Sequence, residues 1–242
     1  MPWSWTPVRS VEPELMDAPG LPEAEVAQAY RVLRRVNRQL GNLHSLGREL
    51  QRFLDEEPRG GQETVTILDV GSGSGDLPQA LRARLVRQGI PNHVLGLDRD
   101  PTAVALAHNP SPSESLEIIQ GDALRLPFAD GSIDLVTAVK FAHHFHAEGL
   151  TRLIAEMARV AGRRVIVLDI QRHWLAYWGF IAWSRLLTRN RLVRYDGPLS
   201  VLRGFTAGEL TDLGNQFPAF TWTVRTYAGF QLALVGRRIT SR

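Results

Sequence analysis

Ile67-Leu68-Asp69-Val70-Gly71-Ser72-Gly73-Ser74-Gly75-Asp76 is a short apolar run that ends in an acid and then places a glycine at every second position. It reads as a strand, a tight turn and the start of a helix, which is how a nucleotide-binding α/β domain begins. Glycines let the backbone take positive φ and approach a ligand closely. The helix start beyond them offers unpaired N–H groups to carboxylate or hydroxyl oxygens. A dinucleotide fingerprint requires Gly or Ala as the last member of G-x-G-x-x-G, so that helix and strand can pack closely. Here that position, counted from Gly71, is Asp76. The pattern is instead Asp-x-Gly-x-Gly-x-Gly, over Asp69, Gly71, Gly73 and Gly75.

Outward from this turn, strand and helix patterns alternate. Thr64–Val70, His93–Asp98, Leu116–Gln120, Ile133–Val139 and Val165–Asp169 read as strands, and Asp76–Gln88, Pro101–His108 and Glu148–Val160 as helices. Asn109–Ser113 reads as a loop. Such alternation predicts a parallel, doubly wound sheet. Thr206–Phe217 reads as one more helix. Thr221–Tyr227 and Phe230–Val235 then form strands around Ala228-Gly229, a connection short enough to force them antiparallel. The expected fold is therefore a Rossmann-like, seven-stranded α/β sheet with a terminal antiparallel hairpin. Residues 1–60 form an irregular arm and two apolar-striped helices broken at Gly41 and ended by Pro58-Arg59-Gly60-Gly61, read as a cap. Residues 61–242 form the main domain, with a helical insertion at about 171–205.

Ligands of open α/β sheets bind beyond the carboxyl ends of the strands, near the point where strand order reverses. After the first strand lies the glycine turn, where Asp69 can face a cationic amine. After the second lies Asp98-Arg99-Asp100, and an acid there suits a ribose diol. After the third lies Gly121-Asp122-Ala123, which offers an acceptor for an exocyclic amine and an N–H for a ring nitrogen. Phe141-Ala142-His143-His144-Phe145-His146 follows the fourth strand. No Asp, Glu or Cys at ligand spacing supports a metal site there. A turn that only packs and caps remains open beside a general base at His143 or His144, since a neutral imidazole is abundant near pH 7.

Gly121-Asp-Ala-Leu-Arg-Leu-Pro-Phe-Ala-Asp-Gly-Ser-Ile-Asp-Leu-Val136, taken with the glycine turn and Asp98, resembles the corresponding region of class I small-molecule methyltransferases such as the ubiquinone and menaquinone methylases. The resemblance covers residues 64–170. It implies S-adenosylmethionine as cofactor and S-adenosylhomocysteine as product. Asp69, Gly71, Gly73, Gly75, Asp98, Arg99, Asp122 and Ala123 would then line the cofactor, and Lys140 would offer its carbonyl to the methionine ammonium. The run from Tyr195 to Leu210 more distantly resembles bacterial methyltransferases of polyketide-derived phenols and quinones. Together these imply transfer of a methyl group to an apolar aromatic or quinone-like molecule, at a phenolic or quinol oxygen. Methylation of a quinone or lipid-like carbon, or a non-catalytic cofactor-binding scaffold, are the alternatives.

Composition narrows the classes further. Net charge is +3, and among 28 basic residues Lys140 is the one lysine. With no Asn-Pro-Pro-Tyr-like site after the fourth strand, no nucleic acid is expected as partner. The absence of cysteine excludes disulfides and thiolate chemistry and fits a reducing cytoplasm. The longest uncharged apolar run, Trp174 to Ser184, is too short to span a bilayer. It opens an insertion rich in Trp, Tyr and Arg. Three readings of the 171–194 segment stay open: a substrate lid, packing or homodimer contact, and peripheral contact with the inner face of a membrane.

Overall fold

Ile67, Leu68 and Val70 have no solvent exposure on either face of their strand, as a central parallel strand demands. In the computed structural model, which describes residues 6–18, 20–57, 63–107 and 116–239, that strand is β1 (Val65–Val70). It pairs in parallel with β2 (Asn92–Asp98) on one side and β4 (Ile133–Val139) on the other. β3 (Glu117–Gln120) extends the sheet beyond β2 and β5 (Ala161–Ile170) beyond β4, both parallel. β7 (Gln231–Arg238) runs antiparallel between β5 and β6 (Phe220–Tyr227), which gives the order β3-β2-β1-β4-β5-β7-β6. Strand order reverses between β1 and β4, so the crevice lies beyond Val70 and Val139. The loop 109–113 and the break 58–61 fall outside the described residues, as does the start of the arm.

Helices cover both faces. On one, α5 (Ala147–Val160) and α8 (Ala207–Gly214) enclose a core with Leu153, Ile154, Met157, Leu210 and Leu234. On the other, α3 (Asp76–Arg87) joins Leu81 and Leu85 to Ile67, Leu135 and Ile166; α4 (Pro101–Ala107) packs beside β2 and β3. The N-terminal helices divide at Gly41, which adopts φ 82 between α1 (Glu23–Gln39) and α2 (Asn42–Glu56). They do different work. α2 sends Leu46, Leu50 and Phe53 into the sheet core, so it is a structural layer of the main domain. α1 buries only Val26 and Ala29 and lies over the crevice.

Three boundaries differ from the sequence reading by three residues or more, the first being β7, which runs on to Arg238 beside β6. β5 begins at Ala161, four residues before Val165, because Gly162 passes so near the Gly131 carbonyl that a Cβ there would sit 2.7 Å from its oxygen. α8 ends at Gly214 rather than Phe217, since the Trp222 ring packs where a Cβ of residue 214 would point, 2.8 Å away. Its start is fixed by a capping box, in which Thr206 and Glu209 satisfy each other's backbone N–H. The insertion forms α6 (Trp174–Leu187) and α7 (Arg191–Arg203), packed together.

A buried acid joins α2 to the terminal hairpin. The Glu49 side chain is 0 % exposed and accepts from Arg52 and Arg225 at 2.7 Å each and from the Tyr227 hydroxyl. Removing one partner of a buried ion pair strands the other charges at a cost of ~3–5 kcal/mol. Here both arginines are partly exposed and can rehydrate, so Glu49→Ala is expected to lower unfolding free energy by about 3 kcal/mol in urea denaturation. A loss below about 1 kcal/mol, the worth of a surface pair, would show that this contact does not hold the layer.

Candidate functional site

The turn after β1 is shaped by its glycines and its neighbours. Gly71, Gly73 and Gly75 have φ of 70, 53 and 77, which side chains rarely adopt. A Cβ on Gly71 would fall 2.2 Å from the Phe141 ring, so the turn can approach the segment after β4 only as glycine. Gly75 serves packing instead. It caps α3, and a Cβ there would meet Ala107 and Leu116 at 3.2 Å. α1 straps the turn from above. Arg34 donates to the hydroxyl and carbonyl of Ser74, at 2.9 and 3.0 Å, and Asn37 donates to Asp76 at 2.9 Å.

The turn opens on a cavity of about 910 Å³, near the top of the ~300–1,000 Å³ range of small-molecule sites. Asp98 and Arg99 from the end of β2, and Asp122 and Ala123 from the end of β3, line the same cavity. One Asp98 oxygen accepts the Gly73 N–H at 2.7 Å, and the other accepts the Asp100 N–H at 2.9 Å. A carboxylate has about four lone-pair sites, so capacity for a diol remains. Burial raises the Asp98 pKa, with backbone hydrogen bonds from Asp100 and Gly73 opposing it. Tyr30 of α1 reaches over and donates to Asp100 at 3.0 Å. Glycine turn, diol-type acid and Asp-Ala pair thus present to one cavity a donor set that fits S-adenosylmethionine.

Asp69 does not line this cavity. Its carboxyl is buried between β1 and β4, where it accepts the Thr137 hydroxyl at 2.6 Å. Burial pushes its pKa up to about 7, against the Thr137 bond and with added repulsion from Asp76 and Asp98. Asp69 stands opposite Thr137 in the β1–β4 register.

Beyond β4 the chain turns sharply. Lys140 takes φ 54 and half-buries its side chain in the cavity wall. Burial lowers its pKa to about 8, and nearby Asp169 opposes that shift. The three histidines then separate. His146 takes the N-cap position of α5 and does not line the cavity, whereas His143 and His144 do, with rings stacked 4.5 Å apart.

Each of those two rings has its own carboxylate on Nδ1. For His143 it is Asp169, at the end of β5, 2.7 Å away. For His144 it is Asp17, in the N-terminal arm, 3.0 Å away. Both Nε2 atoms face Glu14, at 3.5 and 3.8 Å. The His143 ring is 3 % exposed and the His144 ring 23 %. Burial would depress the His143 pKa, but the charge and hydrogen bond of Asp169, then those of Glu14, reverse this and raise it to about 9. His143 therefore holds two protons near pH 7.

Glu14 and Asp17 are residues that sequence reasoning missed. The arm that carries them is clasped from several sides. Arg203 of α7 donates to the carbonyls of His143, His144 and Glu12. The N–H groups of Leu15 and Met16 donate to Asp196, at 2.7 and 3.0 Å. Arg172 donates to the Pro7 carbonyl at 2.8 Å. The proline-flanked arm has no periodicity, so its one signal was the acids themselves.

The remaining wall is apolar. Phe180 and Trp183 of α6, Val193 of α7, Leu33 and Val36 of α1, and Phe230 after β6 border the space beside the histidines. The 171–205 insertion thus contributes one face of the cavity.

A sheet of this order, with the antiparallel β7 between β5 and β6, is the fold of solved methyltransferase structures. Residues 68–168 match the family described as a methyltransferase domain. Over 150 residues the chain is 31 % identical to the demethylmenaquinone methyltransferase of Thermus thermophilus, covering 60 % of this chain and 63 % of that protein. It is 33 % identical over 139 residues to a 2-phytyl-1,4-naphtoquinone methyltransferase of Thermosynechococcus vestitus, covering 56 % and 58 %. The chain thus spans less than two thirds of either relative. Among solved structures, the plantazolicin methyltransferase BpumL in complex with S-adenosylhomocysteine shares the fold, with a TM-score of 0.64 at 12 % identity, over 90 % of this chain and 97 % of that one.

Asp98→Ala removes both carboxylate oxygens that border the cavity beside the glycine turn. It should weaken binding of S-adenosylhomocysteine at least about 10-fold, since hydrogen bonds to a charged group are each worth roughly 1.5–3 kcal/mol. Calorimetry reads this directly, and an unchanged affinity would remove Asp98 from the site.

Proposed function

We propose that the protein transfers a methyl group from S-adenosylmethionine to an apolar small molecule, at a phenolic or quinol oxygen. The observation that carries this reading is the sharing of one cavity by the cofactor-type donor set and the Asp17–His144 pair, beside an aromatic wall. The quinone substrates named for the Thermus and Thermosynechococcus relatives support a quinone-like acceptor.

When bound, the cofactor supplies a methyl group already activated on a sulfonium. The protein's task is then to orient the acceptor, exclude water and take one proton. The oxygen–methyl bond forms as the sulfur–methyl bond breaks, and the hydroxyl proton passes to an imidazole. Of the two histidines, His144 suits this role. Its ring is the more exposed and borders the cavity, and Asp17 fixes its Nδ1, which leaves Nε2 as the open nitrogen. His143 already carries its proton between Asp169 and Glu14 and acts as a positioning residue. Phe180 and Trp183 provide the apolar surface for the acceptor ring. A carbon acceptor that is already ionised would need no such base before transfer, its displaced ring proton leaving afterwards.

His144→Ala is expected to lower the methyl-transfer rate by about 10²–10⁴-fold, the usual worth of a general base. Affinity for S-adenosylhomocysteine should stay within about 2-fold, because the nucleoside end of the site is untouched. Asp17→Asn, which keeps the ring in place, should cost less. An unchanged rate in His144→Ala would rule out His144 as the base.

The outer face of α6 supports one further reading, that of peripheral membrane contact. Among the described residues no helix is long and apolar enough to cross a membrane. Yet Trp178, Leu186 and Leu187 of α6 are exposed, while Phe180 and Trp183 of the same helix line the cavity. Arg185, Arg189 and Arg191 lie close by in sequence, and no acid occurs between Asp169 and Asp196. An apolar face edged by arginines suits an anionic lipid surface. The protein should co-sediment with phosphatidylglycerol vesicles, and Trp178→Ser combined with Leu186→Ser should reduce the bound fraction severalfold. No sedimentation of the parent protein would reject membrane contact.

A further inference from the structure

Two imidazoles and a carboxylate converge where the acceptor is expected. The ligand-type atoms of Glu14, His143 and His144 all lie within 4.8 Å of one another. His143 Nε2 is 3.5 Å from Glu14 Oε1, and His144 Nε2 is 3.8 Å from Glu14 Oε2. Ligand atoms about 2.0–2.2 Å from a common ion would stand only a little closer together than this.

What surrounds these three side chains matches a metal centre more closely than the triad alone does. Histidines that bind metal almost always donate their other ring nitrogen to a carboxylate, backbone carbonyl or water, which fixes the tautomer and aims the free nitrogen. Both histidines here have a carboxylate in that position, Asp169 at 2.7 Å for His143 and Asp17 at 3.0 Å for His144. The prospective carboxylate ligand is oriented too, since Ser200 Oγ donates to Glu14 Oε1 at 2.7 Å. Arg203 Nε lies 3.9 Å from that same oxygen, which leaves Oε2 as the one facing His144. His143 and Glu14 are 3 % and 5 % exposed, so water competes little for them. All three residues line the cavity.

We infer that Glu14, His143 and His144 form a site for a divalent first-row transition metal ion, with Zn²⁺ the best match, open on one side to the cavity. Two histidines and one carboxylate with a vacant position form the donor set of catalytic zinc and of non-haem iron(II) sites. Nitrogen-rich ligation disfavours Mg²⁺ and Ca²⁺, which prefer oxygen. The open position points to where the acceptor ring would lie, so an oxygen of a phenol or quinol can complete the coordination. That role rests on the methyl-transfer reading and would replace the His144 base, because the ion would occupy the same Nε2 and displace the Nε2 proton of His143; metal binding itself does not depend on that reading. An ion here would also tie the N-terminal arm to the turn after β4, since Glu14 comes from one and both histidines from the other.

The test uses untagged full-length protein, stripped with chelator and titrated with Co²⁺ followed by visible absorption, and separately with Zn²⁺ by calorimetry. One equivalent of Co²⁺ should bind and give ligand-field bands of a low-coordinate nitrogen/oxygen site. Glu14→Gln and His144→Ala should each weaken Zn²⁺ binding at least 100-fold. Asp17→Asn, which changes only the residue behind His144, should weaken it about 10–100-fold. Circular dichroism and binding of S-adenosylhomocysteine report whether each variant is folded. Absence of saturable binding at one equivalent, or affinity unchanged in folded Glu14→Gln, overturns the site. A bound ion together with an unchanged transfer rate in His144→Ala would sink the base reading and leave the metal site standing.

Discussion

The buried carboxylate of Asp169 is the contact on which the far half of the cavity depends. It stands at the carboxyl end of β5 without solvent exposure and accepts three hydrogen bonds: from the His143 ring at 2.7 Å, the His143 N–H at 3.1 Å and the Ile170 N–H at 2.7 Å. Burial disfavours its ionisation, yet the charge and hydrogen bond of His143, with the nearby Lys140, hold its pKa well below the usual carboxylate range. The turn after β4 is thereby fixed in both ring and backbone. Its carbonyls in turn hold Arg203, and Arg203 holds the arm. A single anion on the sheet orders segments that are remote in sequence.

The two halves of the site are built by different physics. On the nucleoside side, backbone conformation dominates: glycines with positive φ, N–H groups at the start of α3, and an acid at the end of β2. Those features are local. On the acceptor side, charge pairing across long sequence separations dominates, with Glu14, Asp17, Asp169 and Asp196 meeting two histidines, Arg203 and the backbone of the arm. Hydrogen bonds to charged groups are worth more than neutral ones, roughly 1.5–3 kcal/mol each, and they replace the regular secondary structure that the arm lacks.

That division explains what could be read from the chain beforehand. The strands around Asp69–Gly75, the acid Asp98 and the Asp122–Ala123 pair follow from periodicity and turn residues, which depend on near neighbours. His143 and His144 stood out as a cluster, but their partners did not. Asp17 lies 127 positions from His144, and no pattern in a single sequence links them. The Asp69 contact was illegible for a related reason: Thr137, whose hydroxyl it accepts, sits opposite it on β4, 68 positions away. The early start of β5 and the early end of α8 come from Gly162 against Gly131 and Gly214 against Trp222, again contacts between distant segments. α2 reads as part of an N-terminal cap because its stripe says that it is buried, but not against what.

Lys140 gives the molecule an internal label. It is the chain's one lysine, its side chain borders the cavity, and burial brings its pKa down to about 8. Burial thus favours its neutral, nucleophilic amine over that of an exposed lysine. Amine-directed acylation of this protein addresses one side chain, inside the site, besides the α-amino terminus. Its extent, read as a mass increment, reports how open that site is without any substrate in hand.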